Sequence, residues 1–126
     1  MIADLMRLRD HRKLEVFQKA DKLVLDVYKA TSTLPHDERF GLCSQIRRAA
    51  ISVPCNIAEG SARPSEADYL RFLHIARASA REAGYLIDLS LRLQMMREDV
   101  AAPLTKGYDG VQAMLFRVVE SIEETP

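Results

Sequence analysis

Apolar residues recur every three or four positions along four long segments of the chain, and this period restricts the fold more than any other feature. In the first segment, about residues 14–33, one face carries Val16, Ala20, Leu23 and Val27. An α-helix turns once in about 3.6 residues, so this spacing is that of a helix with one apolar face. The alternating pattern of a strand is absent. The sequence therefore predicts an all-α fold.

Glycine, proline and polar residues separate the periodic segments. The second helix is predicted over residues 41–60, with Gly60 ending it in the left-handed conformation that glycine adopts at low cost. The third is predicted to begin after Ser65, which can cap the first-turn amides, and to reach about Met95 as the longest helix. The fourth is predicted from about Glu98. Its first half is the weakest helical prediction, because it contains one proline and two glycines.

The length of the chain and of its gaps indicates one bundle. A chain of 126 residues fits a single domain. Helices joined by gaps of roughly three to eight residues, with no long crossover, pack most simply as an antiparallel up-down-up-down four-helix bundle. We therefore expect an N-terminal arm over residues 1–13 and a four-helix bundle over residues 14–126.

The balance of charge excludes some classes of partner. Lys and Arg together number 18, as do Asp and Glu, so the formal net charge is zero, unlike that of a uniformly basic nucleic-acid or membrane binder. No apolar run approaches the ~18 residues of a membrane span, and residues 1–13 are too charged for a signal peptide. We expect a cytoplasmic protein without a membrane partner, whose function depends on how its charges are arranged.

A polar stripe runs along the second helix. It consists of Gln45, Arg48, Ser52, Asn56 and Glu59. Arg48 and Glu59 lie about 16 Å apart along the axis, so they cannot pair with each other and need partners in the stripe or on other helices. A structural polar seam and a ligand or partner site are both compatible with this pattern.

The apolar arc of the second helix is wider than one core face requires. Its additional residues are Cys43, Ala50, Ile51, Pro54 and Ala58. The third helix is also rich in small residues, among them Ala76, Ala78, Ser79, Ala80, Ala83 and Gly84. These two features indicate a contact between subunits. Ordinary surface exposure of small apolar residues is the alternative.

Basic residues line one side of the third helix. Within an arc of about 120° lie Arg71, His74, Arg77, Arg81 and Arg92, interrupted by Asp88. Such a stripe can follow several phosphates of a nucleic acid, while pairing with acids such as Glu66 and Glu82 is the alternative. The candidate nucleic-acid-binding residues are Arg47, Arg71, Arg77 and Arg81.

The sequence lacks the motifs of common metal and catalytic sites. Di-iron bundles need Glu-x-x-His pairs, and no histidine here has a glutamate three residues before it. Neither His-Glu-x-x-His, Cys-x-x-Cys, Gly-x-Ser-x-Gly nor a phosphate-binding Gly-rich loop with lysine occurs. We therefore expect no metal, no cofactor, no catalytic residue and no enzymatic activity.

A long stretch of the chain resembles a known family. The matching residues are 14–20 (LEVFQKA), Tyr28, Leu34, Pro35, Glu38, Gly41, Leu42, 44–60 (SQIRRAAISVPCNIAEG), Arg63, 69–79 (YLRFLHIARAS) and Glu82. They are similar to the four-helix bundle proteins of the ribosomal-RNA intervening-sequence family. The resemblance covers about residues 14–93.

The resemblance implies an antiparallel four-helix bundle that assembles as a ring-like homopentamer, encoded inside large-subunit ribosomal RNA genes or standing alone. A related branch, the accessory variability proteins of diversity-generating retroelements, binds a reverse transcriptase and its nucleic acid through a basic surface. Two features depart from the family: Ala78 stands where members often have glycine, and the zero net charge differs from the strongly basic retroelement branch.

These observations together favour a self-assembling, non-enzymatic protein with a binding or scaffolding role. The leading partners are further copies of the chain, as a homopentamer, and RNA or an RNA-associated protein. A protein-interaction scaffold without affinity for nucleic acid is the alternative.

Overall fold

The computed structural model describes residues 9–124, which form four long helices. These are α1 (Glu15–Thr31), α2 (Leu42–Ser61), α3 (Glu66–Arg92) and α4 (Glu98–Glu123). One 3-10 turn (His11–Lys13) precedes α1 and another (His36–Glu38) lies between α1 and α2. The predicted all-α class is confirmed, and the described residues contain no strand. As expected, α3 is the longest helix, with 27 residues against 26 in α4.

Helices that follow each other in sequence pack side by side and antiparallel. Gly60 at the end of α2 contacts Tyr69 near the start of α3. Arg48, near the start of α2, bonds Glu82 in the second half of α3. The same reversed order relates α3 to α4 and α1 to α4, in the pairs Arg77–Phe116, Gly84–Tyr108, Leu23–Gly107 and Lys19–Gly110. Because α1 also packs on α2, the bundle is a closed square in which the α1–α2 face lies opposite the α3–α4 face.

The core is built from the predicted apolar faces. The four residues quoted above for the first helix are all buried, and so are Ile46, Ala49, Val53 and Ile57 of α2. The largest fully buried side chains are those of Tyr69 and Tyr108. Burying one large aliphatic side chain contributes roughly 1.5–3 kcal/mol, so the buried apolar faces of the helices supply most of the driving force for packing.

Several small residues that suggested a subunit contact lie inside the bundle. Ala50 and Pro54 of α2 are buried, as are four of the small residues of α3, namely Ala76, Ser79, Ala80 and Ala83. Their small size allows α3 to pack closely on both of its neighbours. For these residues the expected subunit contact is corrected to packing within one chain, while Ile51 and Ala78 stay exposed.

The helix ends differ from the predictions at two places. Gly60 does not take a left-handed conformation, because α2 continues through Ser61 and no described glycine has a positive φ. α3 ends at Arg92, before the predicted Met95, and Gln94 adopts a φ of 60° in the turn that follows. The cap on α3 is as predicted, since the Ser65 hydroxyl accepts from the Asp68 amide at 3.2 Å.

Residues 9–13 contact the bundle. The ring of His11 packs edge-on against Phe17 with centroids 4.8 Å apart, and the guanidinium of Arg9 lies over Tyr69. Arg9 also donates a hydrogen bond to the carbonyl of Arg63. Residues 1–8 of the predicted arm lie outside the described residues. In the part of the chain that the structure describes, no helix is both long and apolar enough to cross a membrane.

Candidate nucleic-acid interface

The four arginines predicted to contact phosphate lie in three different places. Arg47 of α2 is turned inward to the end of α1. Its Nε donates to Thr31 Oγ1 at 2.8 Å, its Nη2 donates to the Tyr28 carbonyl at 3.2 Å, and its Cζ lies 4.3 Å from the Tyr28 ring centroid. The Thr31 hydroxyl, which itself donates to the Val27 carbonyl at 2.8 Å, thus accepts from Arg47, and the Tyr28 carbonyl gains a further donor besides the Ser32 amide at 3.3 Å. Within the chain, the Arg47 side chain therefore has a structural role, linking α2 to the end of α1.

Arg71 lies at the end of the α2–α3 pair. Its Nε is 3.6 Å from a carboxylate oxygen of Asp68, and its guanidinium lies 4.6 Å from the centre of the Phe72 ring. Arg63, from the connection between α2 and α3, also lies over Phe72, at 5.0 Å. Arg71 is exposed but already has a carboxylate partner one helical turn away, which lowers its capacity to attract a further anion.

Arg77 lines a shallow groove between α3 and α4. The groove has a volume of about 500 Å³ and is bordered by Arg77, Gln112, Ala113, Phe116, Arg117 and Glu120. The Cζ of Arg77 lies 5.0 Å from the centre of the Phe116 ring, which remains 45% exposed. An arginine, an exposed aromatic ring and a second arginine thus stand together on one outer face of the bundle.

Arg81 extends this group by one turn of α3. It is exposed, and residues four apart on a helix share a face, about 6 Å apart along the axis. In the described part of the chain, the side chains of Arg77, Arg81 and Arg117 form no hydrogen bond or ion pair. We refer to Arg77, Arg81, Arg117, Phe116 and Gln112 as the α3–α4 groove. Glu120 is the acid at its rim.

Other arginines of the bundle are neutralised by neighbouring carboxylates. Six described arginines have an Asp or Glu partner: Arg12, Arg48, Arg63, Arg71, Arg92 and Arg97. Arg92 belonged to the predicted basic stripe, and its Nε lies 2.9 Å from Asp88, the acid that interrupts the stripe. The unneutralised part of the stripe is therefore the segment that contains Arg77 and Arg81.

The polar stripe of α2 faces α3 and forms a hydrogen-bonded seam. Arg48 donates to Gln45 Oε1 and, at 2.6 Å, to Glu82 of α3. The hydroxyls of Ser52 and Ser79 lie 2.8 Å apart, and Asn56 Nδ2 donates to the Ser52 hydroxyl at 2.9 Å. Glu59 pairs with Arg63. The stripe thus finds partners within α2, on α3 and in the connection between them, which agrees with its structural interpretation.

The opposite face of the bundle, between α1 and α2, is apolar. A groove of about 300 Å³ is lined there by Phe17, Asp21, Val24, Ile51, Pro54, Cys55 and Ala58. Ile51 is 38% exposed and Cys55 is an exposed free thiol. Of the wide apolar arc of α2, Ile51 and Ala58 stay accessible at this groove, while Pro54 is buried by packing within the chain.

The groove residues that α4 contributes were not identified from the sequence. Phe116 and Arg117 lie off the apolar face of α4, and an aromatic residue at such a position, next to arginine, is the signal that would have identified them. Their proximity to Arg77 could not be predicted, because it depends on the register of α3 against α4. Within residues 9–124 no group of three or more His, Cys, Asp or Glu side chains is arranged to hold a metal ion.

The family model of the 23S rRNA-intervening sequence protein matches residues 12–117. The chain belongs to this family. A crystal structure of a protein of unknown function from the S23 ribosomal protein family of Bacteroides thetaiotaomicron is similar, with a TM-score of 0.77 and 22% sequence identity. The similarity covers 83% of this chain and 95% of that one, and it supports the four-helix fold. A search of curated proteins gave no match.

The match to the 23S rRNA-intervening sequence protein family covers more of the chain than residues 14–93, to which the resemblance in the sequence extended. The matched region extends from the 3-10 turn at His11–Lys13 into the last third of α4. It therefore includes both walls of the α3–α4 groove and the polar seam between α2 and α3. Apart from Glu120 at the groove rim, the residues of all three surfaces described above lie within the matched residues 12–117.

Proposed function

We propose that this protein is a non-enzymatic, self-assembling bundle that binds RNA through the α3–α4 groove. The observation that carries the proposal is the distribution of uncompensated arginines. Among the described arginines, four have a side chain with neither a hydrogen bond nor an ion pair, namely Arg39, Arg77, Arg81 and Arg117. Two of these four, Arg77 and Arg117, line one groove, and Arg81 is exposed one turn of α3 beyond Arg77, so the three form a local positive charge in a chain whose net charge is zero.

A local cluster of this kind suits a phosphate backbone. Guanidinium groups bind phosphate oxygens in a planar, two-pronged geometry, and each phosphate neutralised releases counterions. Two arginines one helical turn apart on α3, with a third across the groove on α4, can contact successive phosphates of one strand. Glutamine at the base of the groove adds a donor and an acceptor. These side chains bind and orient a ligand, and we assign them no catalytic step.

The α1–α2 face supports the proposed self-assembly. An apolar surface on one side of the square bundle, opposite the basic groove, allows subunits to associate while their grooves stay exposed. We propose a homopentamer, in which the α1–α2 face of one subunit contacts a different surface of the next, as closure of a ring requires. Five grooves would then be displayed around one assembly.

The assembly is tested by light scattering with two matched variants. Ile51→Glu places a charge on the apolar α1–α2 face, whereas Ile75→Glu places one on α3 at a residue with the same exposure of 38%. We expect the wild type and Ile75→Glu to have the mass of a pentamer and Ile51→Glu to dissociate. A monomeric wild type at micromolar concentration would refute self-assembly.

RNA binding is tested by retention of structured RNA over a salt series. Arg77→Gln with Arg81→Gln removes two charges from the groove, and Lys19→Gln with Lys29→Gln removes two from exposed residues of α1. We expect the first pair to abolish most retention at moderate salt and the second to leave it nearly unchanged. Absence of binding at low salt, or binding that salt does not weaken, would refute the proposal.

That negative outcome would favour a protein-interaction scaffold without nucleic-acid affinity, the second class compatible with the sequence. A relation to the accessory variability proteins of diversity-generating retroelements stays a prediction from the sequence. The neighbouring genes would decide it, because an adjacent reverse transcriptase and a host ribosomal RNA gene indicate different contexts.

A further inference from the structure

Phe116 is the one feature of the α3–α4 groove that phosphate binding does not explain. An exposed phenylalanine on a helix surface gains only part of the stabilisation that burial provides, and this ring is 45% exposed beside two arginines and a glutamine. The guanidinium of Arg77 already lies near the ring, 5.0 Å from its centre. Aromatic rings and guanidinium planes are the two kinds of surface on which unpaired bases stack.

We propose that the α3–α4 groove recognises unpaired nucleotides, with one base stacked on Phe116 while Arg77, Arg81 and Arg117 bind the flanking phosphates. This inference rests on the proposed function and names its ligand class as single-stranded RNA. In a duplex the base faces are covered by neighbouring pairs, so the Phe116 ring cannot reach them and only the phosphate contacts remain. A splayed strand allows both contacts at once.

The width and composition of the groove fit this ligand. The groove, with a volume of about 500 Å³, is shallow and open. A strand that enters and leaves along the helix axes requires such a shape. Gln112 can donate to and accept from the edge of a stacked base without selecting one base strongly. Glu120 at the rim opposes a nearby phosphate, so it limits affinity and favours a register in which the phosphates lie closer to the arginines.

The experiment compares one unstructured RNA oligonucleotide with the duplex that it forms with its complement, by fluorescence anisotropy at equal salt. The variants are Phe116→Leu, which keeps an apolar side chain and removes the aromatic face, and Phe40→Leu as a matched control. Phe40 is also exposed and also carries an arginine over its ring, Arg39 at 5.2 Å, but it lies in the α1–α2 connection. Circular dichroism and melting establish that both variants fold.

We expect the wild type to bind the single strand more tightly than the duplex, and Phe116→Leu to weaken single-strand binding roughly five- to tenfold while leaving duplex binding unchanged. Phe40→Leu should behave as the wild type, and Glu120→Gln should bind both ligands more tightly. Equal, salt-dependent binding of the single strand and the duplex, unaffected by Phe116→Leu, would overturn the stacking inference and leave phosphate binding by the groove intact. A preference for the single strand that survives Phe116→Leu would also overturn it. Failure of both RNAs to bind at low salt would instead overturn the proposed function.

Discussion

The same substitution, glycine to alanine, is expected to have opposite effects at Gly60 and at Gly84. Both glycines lie within helices, in α2 and α3 respectively. A Cβ added to Gly60 would lie 2.7 Å from the Cβ of Phe72 and 3.1 Å from Cδ1 of Tyr69. A Cβ added to Gly84 would meet only the Cβ of Tyr108, at 3.7 Å, which is an ordinary van der Waals contact.

The crowding at Gly60 cannot be relieved by a side-chain rotation. The Cβ of Phe72 is fixed to the backbone of α3, and the Tyr69 carbonyl oxygen, 3.3 Å away, is itself backbone, so α2 and α3 must move apart. Overpacking of this kind costs about 1–3 kcal/mol, against up to about 1 kcal/mol gained from the higher helix propensity of alanine. We expect Gly60→Ala to lower the free energy of unfolding by about 1–2 kcal/mol and Gly84→Ala to raise it by about 0.5–1 kcal/mol.

Urea unfolding followed by circular dichroism, at one fixed protein concentration, measures both changes. A fixed concentration matters because self-assembly stabilises the folded state by mass action. A Gly60→Ala protein as stable as the wild type, or more stable, would refute the close approach of α2 and α3. A loss of stability at Gly84 equal to that at Gly60 would show that space at the added Cβ does not decide the outcome.

Three further predictions concern buried or internally bonded polar groups. Tyr108→Phe should leave the unfolding free energy unchanged or raise it by about 1 kcal/mol in urea titrations, because the buried Tyr108 hydroxyl has no hydrogen-bond partner within residues 9–124; a clear loss of stability would reveal one. Burial raises the pKa of Tyr69 to about 12, partly opposed by Arg9, and burial with nearby Asp26 raises the pKa of Tyr108. Since these two groups ionise first in the unfolded state, stability should be full below pH 10 and fall above it, and the part of the tyrosinate absorbance that belongs to these two buried residues should appear together with unfolding. Arg47→Gln should lower the unfolding free energy by roughly 1–2 kcal/mol by removing the donor to the buried Thr31 hydroxyl and one of the donors to the Tyr28 carbonyl, yet leave RNA retention unchanged.

The helical framework could be predicted from the sequence because it depends on local periodicity. Core faces and the cap at Ser65 follow from the spacing of apolar residues and from the hydrogen-bonding needs of a helix end. The role of Gly60 could not be predicted in this way. A glycine at the end of an apolar pattern suggests a helix that ends in the left-handed conformation. Here glycine is required instead because α3 packs too close for a side chain, and the local sequence does not specify that contact.

The candidate site shows the same division between local and non-local information. A helical wheel places Arg71, Arg77, Arg81 and Arg92 on one side of α3, but it does not show which of them have a neutralising partner. Asp68 and Asp88 lie one turn away on α3 itself, so pairing of Arg71 and Arg92 could be anticipated from spacing. Arg47 is bonded to α1 through a contact that only the folded chain creates.

The zero net charge and a basic binding groove are compatible because charge pairing is local. Each ion pair on the bundle surface screens its own arginine, and exposed pairs contribute little to stability, so their main effect here is to remove sites that would otherwise compete for an anion. The remaining arginines at the α3–α4 groove then act alone. Under the proposed function, one such groove would bind RNA weakly at physiological salt, because it would neutralise only about three phosphates. Several grooves held on one assembly through the opposite, apolar face would raise the effective concentration of binding sites for a long RNA. In the proposed function, self-assembly and nucleic-acid binding are thus two parts of one mechanism, since the first would convert a weak local contact into a stable one.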